Sequence, residues 1–141
     1  MPARPSASRR TVLRGVAAAP VAGLGLAACS PEGNSAKPAA PTAPVELGAE
    51  SEVAKGGARL YREHNVVVSR DEKGTLKAYS TICTHASCPI SKLEGTRLTC
   101  FCHGSEFDAT TGEVLAPPAT VPLTELEVRS DNGRIVAGPE A

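Results

Sequence analysis

Two short blocks, Cys83-Thr84-His85-Ala86-Ser87-Cys88 and Cys100-Phe101-Cys102-His103-Gly104-Ser105, constrain this chain more than anything else in it. Together they hold four of its five cysteines and two of its three histidines. Cys and His are the side chains that bind soft and borderline metals or, for Cys, close disulfides. A fold that uses both blocks must therefore aim two loops at a common centre. Each block supplies a Cys and a His at close spacing, Cys-x-His in the first and Cys-x-x-His in the second, and each retains one extra Cys.

The flanking sequence reads as short strands. Asn65-Val66-Val67-Val68-Ser69 is rich in β-branched residues and ends at the turn Asp71-Glu72-Lys73-Gly74. Thr75-Leu76-Lys77-Ala78-Tyr79 then alternates apolar and polar, the period of a half-buried strand. The two predict a hairpin. Residues 97–99, 113–115 and 123–128 are further strand candidates, and Ser130-Asp131-Asn132-Gly133 predicts a tight turn into a strand over 134–137. No segment after Gly48 carries a long amphipathic helical pattern, and no internal repeat is evident. With 13 Gly, 12 Pro and few aromatic residues, six or more strands over residues 45–139 predict a small all-β domain, an antiparallel barrel or sandwich. The whole chain, 141 residues, has room for one such core and for no separate catalytic domain.

The first 44 residues are of another kind. Residues 1–14 are polar and basic, and residues 15–28 are almost wholly Gly, Ala, Val and Leu, shorter than the roughly 20 residues of a membrane-spanning helix. Length and flanks match a signal peptide over 1–28. Ser8-Arg9-Arg10-Thr11-Val12-Leu13-Arg14 resembles the twin-arginine export signal of bacteria. Leu26-Ala27-Ala28-Cys29 resembles the lipobox of bacterial lipoproteins, which implies lipidation at Cys29 and an anchor on the outer face of the plasma membrane. Residues 29–44, rich in Pro and Ala, read as a disordered tether. Four of the 15 basic side chains lie in residues 1–28, leaving 11 against 15 acidic in the remainder, a net charge of −4. An acidic domain offers no footprint for nucleic acid.

The two Cys/His blocks resemble the cluster-binding loops of Rieske iron–sulfur proteins, which usually read Cys-Thr-His-x-Gly-Cys and Cys-Pro-Cys-His-Gly-Ser. The likeness spans roughly Val45 to Gly138 and is concentrated in 83–88 and 100–108. It implies one 2Fe-2S cluster, with Cys83 and Cys100 on one iron and His85 and His103 on the other. It also implies that Cys88 and Cys102 form the disulfide found in one branch of the family. Zinc accepts the same residue types, but would leave two Cys without a role and does not require the Gly-Ser after the second His. Two structural disulfides would suit an exported chain yet ignore both His. His64 matches nothing in the pattern and reads as a surface or turn residue.

The implied ligand set has a physical rationale. Two ferric ions and two sulfides sum to +2, so two thiolates and two neutral imidazoles leave the centre near neutral, where four thiolates would make it a dianion. Rieske potentials accordingly span about −150 to +300 mV, against about −400 mV for all-Cys plant-type clusters. A reduced centre also makes its His more basic, so that a proton accompanies the electron, which suits a quinol donor. Ser105 matches the Ser whose hydroxyl bonds a bridging sulfide, and Phe107 stands where high-potential members have Tyr. Ser87 replaces the usual Gly, which strains the loop if that position requires positive φ. Ala116-Pro117-Pro118-Ala119 resembles the family's Gly-Pro-Ala cover, with Pro117 in place of Gly.

These features predict an electron carrier with no catalytic residues of its own, held on the outer membrane face. The favoured partner is a quinol-oxidising cytochrome bc-type respiratory chain or another redox protein. The alternative is a Rieske ferredoxin-like small subunit serving an oxygenase or a molybdenum oxidase. A lipoprotein with a decayed cluster site is the third reading.

Overall fold

Three consecutive valines, Val66-Val67-Val68, bury both faces of one strand, and the domain forms around them. The computed structural model describes residues 37–141. The export signal expected over 1–28, Cys29 and the linker through residue 36 lie outside the described residues. Ten strands follow in chain order: β1 (Val45–Ala49), β2 (Gly57–Tyr61), β3 (Val66–Arg70), β4 (Leu76–Ser80), β5 (Lys92–Glu94), β6 (Arg97–Thr99), β7 (Glu106–Asp108), β8 (Val114–Ala116), β9 (Glu125–Asp131) and β10 (Arg134–Gly138). Short 3₁₀ turns occupy Glu50–Glu52 and Arg62–His64, the second accounting for His64. The described fold is otherwise all-β, as the sequence predicts, and no described helix is long and apolar enough to cross a membrane.

The strands form two antiparallel sheets. One has the order β1-β10-β9-β4-β3-β2 and the other β5-β6-β7-β8. Successive side chains on a strand point to opposite faces, and β3 and β4 use both. Val66, Val68 and Ala78 pack with Ile135, Ala137 and Tyr61 in one core. Val67 and Tyr79 point the other way, into a second core with Leu98, Phe107, Cys83 and Cys100. That second core is the floor of the Cys/His blocks.

Chain order explains how the blocks are presented. β4 and β9 are hydrogen-bonded neighbours, with Ala78 opposite Leu126. Residues 81–124 between them form an arm that carries the small sheet and both blocks. The arm is pinned at its root by Ser80 N–H to Thr124 O (2.8 Å) and Thr81 N–H to Asn65 O (2.8 Å). Arg62 Nε adds a bond to Ser91 O at 2.9 Å.

Turn chemistry sets the edges. In the β3–β4 hairpin, Asp71 Oδ1 accepts the Thr75 N–H at 2.7 Å. Between β9 and β10 the loop is only Asn132-Gly133, both at positive φ (51° and 76°), the Asn-Gly pair favoured in two-residue hairpins. The predicted strand over 123–128 begins later, at Glu125. Leu123 is a loop residue whose N–H bonds Gly112 O at 2.8 Å while its side chain is buried, so its apolarity serves a loop anchor. The candidates at 113–115 and in the first hairpin are displaced by one residue. Strands β1, β2, β5 and β7 give no alternation clear enough to read from sequence. Residues 37–44, within the expected tether, include Ala39, whose carbonyl accepts a bond from Asn65 Nδ2 at 2.9 Å.

Candidate metal centre

Both Cys/His blocks are hairpin loops of the same design. In the first, Cys83 N–H bonds Cys88 O (2.8 Å) and Ser87 N–H returns to Cys83 O (2.8 Å). In the second, Cys100 N–H bonds Ser105 O (2.9 Å) and Gly104 N–H returns to Cys100 O (2.9 Å). Such a closure turns the chain back through a fourth loop residue in the left-handed region, and here Ser87 has φ 58° and Gly104 φ 83°. A third loop repeats the scheme: Asp108 N–H bonds Glu113 O and Gly112 N–H bonds Asp108 O, with Gly112 at φ 74°. This repetition is invisible in sequence, where only the spacing from the first residue to the positive-φ residue is shared.

The ligand-type side chains divide into two layers. Cys83 and Cys100 are free thiols, buried in the core beneath the loops. His85 and His103 are exposed, and their rings meet edge to face with centroids 4.7 Å apart. Burial pushes the Cys100 thiol up, and the adjacent Cys83 thiol adds to this. Backbone N–H groups of Cys102 and His103 point at the Cys100 sulfur and act in the opposite direction. Donors so placed favour a thiolate, the form in which sulfur binds metal.

The two remaining cysteines join the loops, since Cys88 and Cys102 form a disulfide. Its sulfurs lie within 4.8 Å of Cys100 Sγ. Among the described residues this trio is the one compact group of potential ligands for a single ion. It is not a zinc site, because a disulfide has no thiolate to offer. Two buried thiols in one layer and two exposed imidazoles in the other suit a binuclear cluster, in which His₂ and Cys₂ serve different irons. The residues present therefore fit a 2Fe-2S group, which Cys83, Cys100, His85 and His103 would hold.

Around this centre, Ser105 and Phe107 are fully buried. The Ser105 Oγ accepts the Ala119 N–H at 3.0 Å, which leaves its own proton free to donate elsewhere. That bond fastens the proline segment 117–121 to the second loop. Thr84 Oγ1 donates to Val121 O at 2.7 Å and fastens the same segment to the first. Sequence reading passes over Thr84, which sits between two candidate ligands and whose hydroxyl role depends on a segment 37 residues away. Phe107 packs in the core with Cys83 and Cys100.

Residues 43–127 match the Rieske [2Fe-2S] domain family. The chain is 34% identical over 83 residues to a sulredoxin of Sulfurisphaera tokodaii, covering 52% of this chain and 76% of that protein. Over 94 residues it is 30% identical to a cytochrome b6-f complex iron-sulfur subunit of Chlorobaculum tepidum, covering 65% of this chain. It spans about half the length of that subunit (51%). Among solved structures, a cyanobacterial plasma membrane Rieske protein of Synechocystis PCC 6803 is similar at a TM-score of 0.53 and 30% identity, covering 66% of this chain and 97% of the other.

Proposed function

We propose a one-electron carrier of a quinol-oxidising respiratory chain as the role of this chain, which belongs to the Rieske [2Fe-2S] domain family. When bound, the cluster supplies a one-electron acceptor near neutral charge. The carrying observation is the layering of ligands, with two thiols enclosed in the core and two imidazoles at the surface. Of the two nitrogens on each ring, one is needed toward a metal. The other is then left to exchange a proton with a docked donor. On the opposite side, Cys83, Cys100, Ser105 and Ala119 are all buried away from water. Similarity to a cytochrome b6-f iron-sulfur subunit supports a quinol-linked partner.

Electron paramagnetic resonance of the dithionite-reduced protein tests the centre. A signal of low average g is expected for mixed His/Cys ligation, and a silent sample containing zinc would overturn it. Co-purification from solubilised membranes tests the partner. Recovery of a cytochrome supports the respiratory role, and recovery of a soluble oxygenase or molybdenum oxidase instead contradicts it.

The reading extends to location. Arg9-Arg10, the apolar run and Cys29 support export of the folded domain and a lipid anchor on the outer membrane face. Cys29→Ser is expected to move the protein from the membrane to the soluble fraction. Unchanged membrane retention would remove the lipid from the account.

A further inference from the structure

Three sulfur atoms crowd the junction of the two loops. Cys88 and Cys102 are bonded to each other, and the free thiol of Cys100 lies within 4.8 Å of both. A thiolate and a disulfide at such range are the reactants of thiol–disulfide exchange. We propose that iron ligation of Cys100 is what preserves the Cys88–Cys102 pairing, and that loss of the cluster lets Cys100 displace Cys102 and lock the apo-protein in a rearranged form. The inference rests on the reading of Cys100 as a cluster ligand.

The step balances without an outside oxidant. Cys100, once deprotonated, attacks Cys88 Sγ, and a Cys88–Cys100 bond forms as the Cys88–Cys102 bond breaks. Cys102 leaves as a thiolate and takes up a proton from water, replacing the one Cys100 released. Among Cys88, Cys100 and Cys102, one disulfide and one free thiol exist before and after.

Two observations give the exchange its direction. Attack on Cys102 instead would close a disulfide across the single residue Phe101, a ring too short for relaxed disulfide geometry. The second is solvation: Cys100 is 1% exposed, whereas Cys102 lies on the exposed outer part of its loop. Exchange removes a free thiol from the core and delivers one to water, where its ionised form is better solvated. Uncatalysed rearrangements take minutes to hours, and enclosure of the nucleophile sets this one toward the slow end.

The consequence is an order of events. After exchange Cys100 is no longer available to iron, so the apo-protein with its disulfide closed does not take up a cluster. Cluster insertion must then precede oxidation of Cys88 and Cys102. Export of an already folded, loaded domain would satisfy that order.

Disulfide mapping tests this independently of any quinol or membrane partner. The full chain is purified with its cluster, stripped anaerobically with a chelator at neutral pH, alkylated at intervals and digested for mass spectrometry. The expected result is a shift of label from Cys100 to Cys102 over hours, with a Cys88–Cys100 linkage replacing Cys88–Cys102. Protein that retains its cluster should show only the original linkage. Iron and sulfide should fail to restore the visible spectrum of rearranged protein until a thiol reductant is added. Persistence of Cys88–Cys102 in the stripped protein, with Cys100 labelled throughout, would overturn the proposal. So would release of Cys102 in stripped Cys100→Ser, because another nucleophile would then be responsible. If that variant does not fold, the wild-type time course decides alone. A silent paramagnetic resonance spectrum from unstripped purified protein that contains no iron would instead sink the cluster reading itself, which separates the two failures.

Discussion

Ser105 meets two requirements with one hydroxyl. Its oxygen accepts the Ala119 N–H, and its own proton is left to donate, for which a cluster sulfide would be the acceptor. Ser105→Ala should therefore act twice. An unpaired buried N–H costs about 1–3 kcal/mol, to be read as a lower melting temperature of the loaded protein. Loss of the donor should lower the reduction potential by about 40 mV, taking about 1 kcal/mol for the bond and the one-electron conversion. Phe107, fully buried beside Cys83 and Cys100, offers no donor. Phe107→Tyr is expected to raise the potential by a similar amount, about 40 mV, in voltammetry; an unchanged or lower value would mean that the new hydroxyl finds no sulfur. Ser87 sits at φ 58°, where a Cβ is strained. Ser87→Gly should stabilise by about 0.5–1 kcal/mol, since relief of that strain exceeds the entropy of the added glycine. Thermal melts of the loaded protein check it. The identities of these residues were legible from the paired motif, whereas the positive φ of Ser87 and the acceptor role of Ser105 required the loops to be closed.

At the level of elements, hairpins do the positioning, and their turns are set by local chemistry. The β3–β4 turn is closed by the Asp71 carboxylate, which is held below the usual carboxylate range first by the Thr75 backbone N–H, with further bonds from the Thr75 side chain and the Gly74 and Lys73 N–H groups. A depressed folded-state pKa means stabilisation that is fully present above the unfolded value, about pH 4. It is lost as pH falls through the folded value. Asp71→Asn should thus flatten the acid limb of the stability curve below about pH 4, measured by denaturant titration across pH, while leaving the cluster spectrum at neutral pH unchanged. A persistent acid limb of the same steepness would locate the effect elsewhere. This hairpin and the Asn132-Gly133 turn were predictable because turn residues act within four positions of one another. The three-residue strands β5 and β7 were not, because so short a run shows no period and neither contains a β-branched residue. Their pairing comes from partners such as Leu98, which sits opposite both Leu93 and Phe107.

Across the whole molecule, the two cores have different dependencies. The core built on Val66, Val68, Ala78 and Ile135 belongs to the six-stranded sheet and contains no ligand residue. The other contains Cys83 and Cys100 and lies beneath the inserted arm. Removing the cluster should therefore loosen the arm first, because its loops lose the centre they share. Hydrogen exchange is expected to show residues 83–90 and 100–108 losing protection while β3, β4 and β10 retain it. Uniform loss across both sheets would mean that the arm and the large sheet unfold as one unit. By itself the sequence determined the class of ligands, the all-β character and the branch of the family with paired extra cysteines. Those properties depend on side-chain chemistry and on neighbours a few residues apart. Only the tertiary structure decided that β4 and β9 close around the arm, that three loops share one turn geometry, and that Thr84 and Ser105 both hold the proline segment. These are contacts between residues distant along the chain, and their energies depend on which surfaces the fold buries against each other.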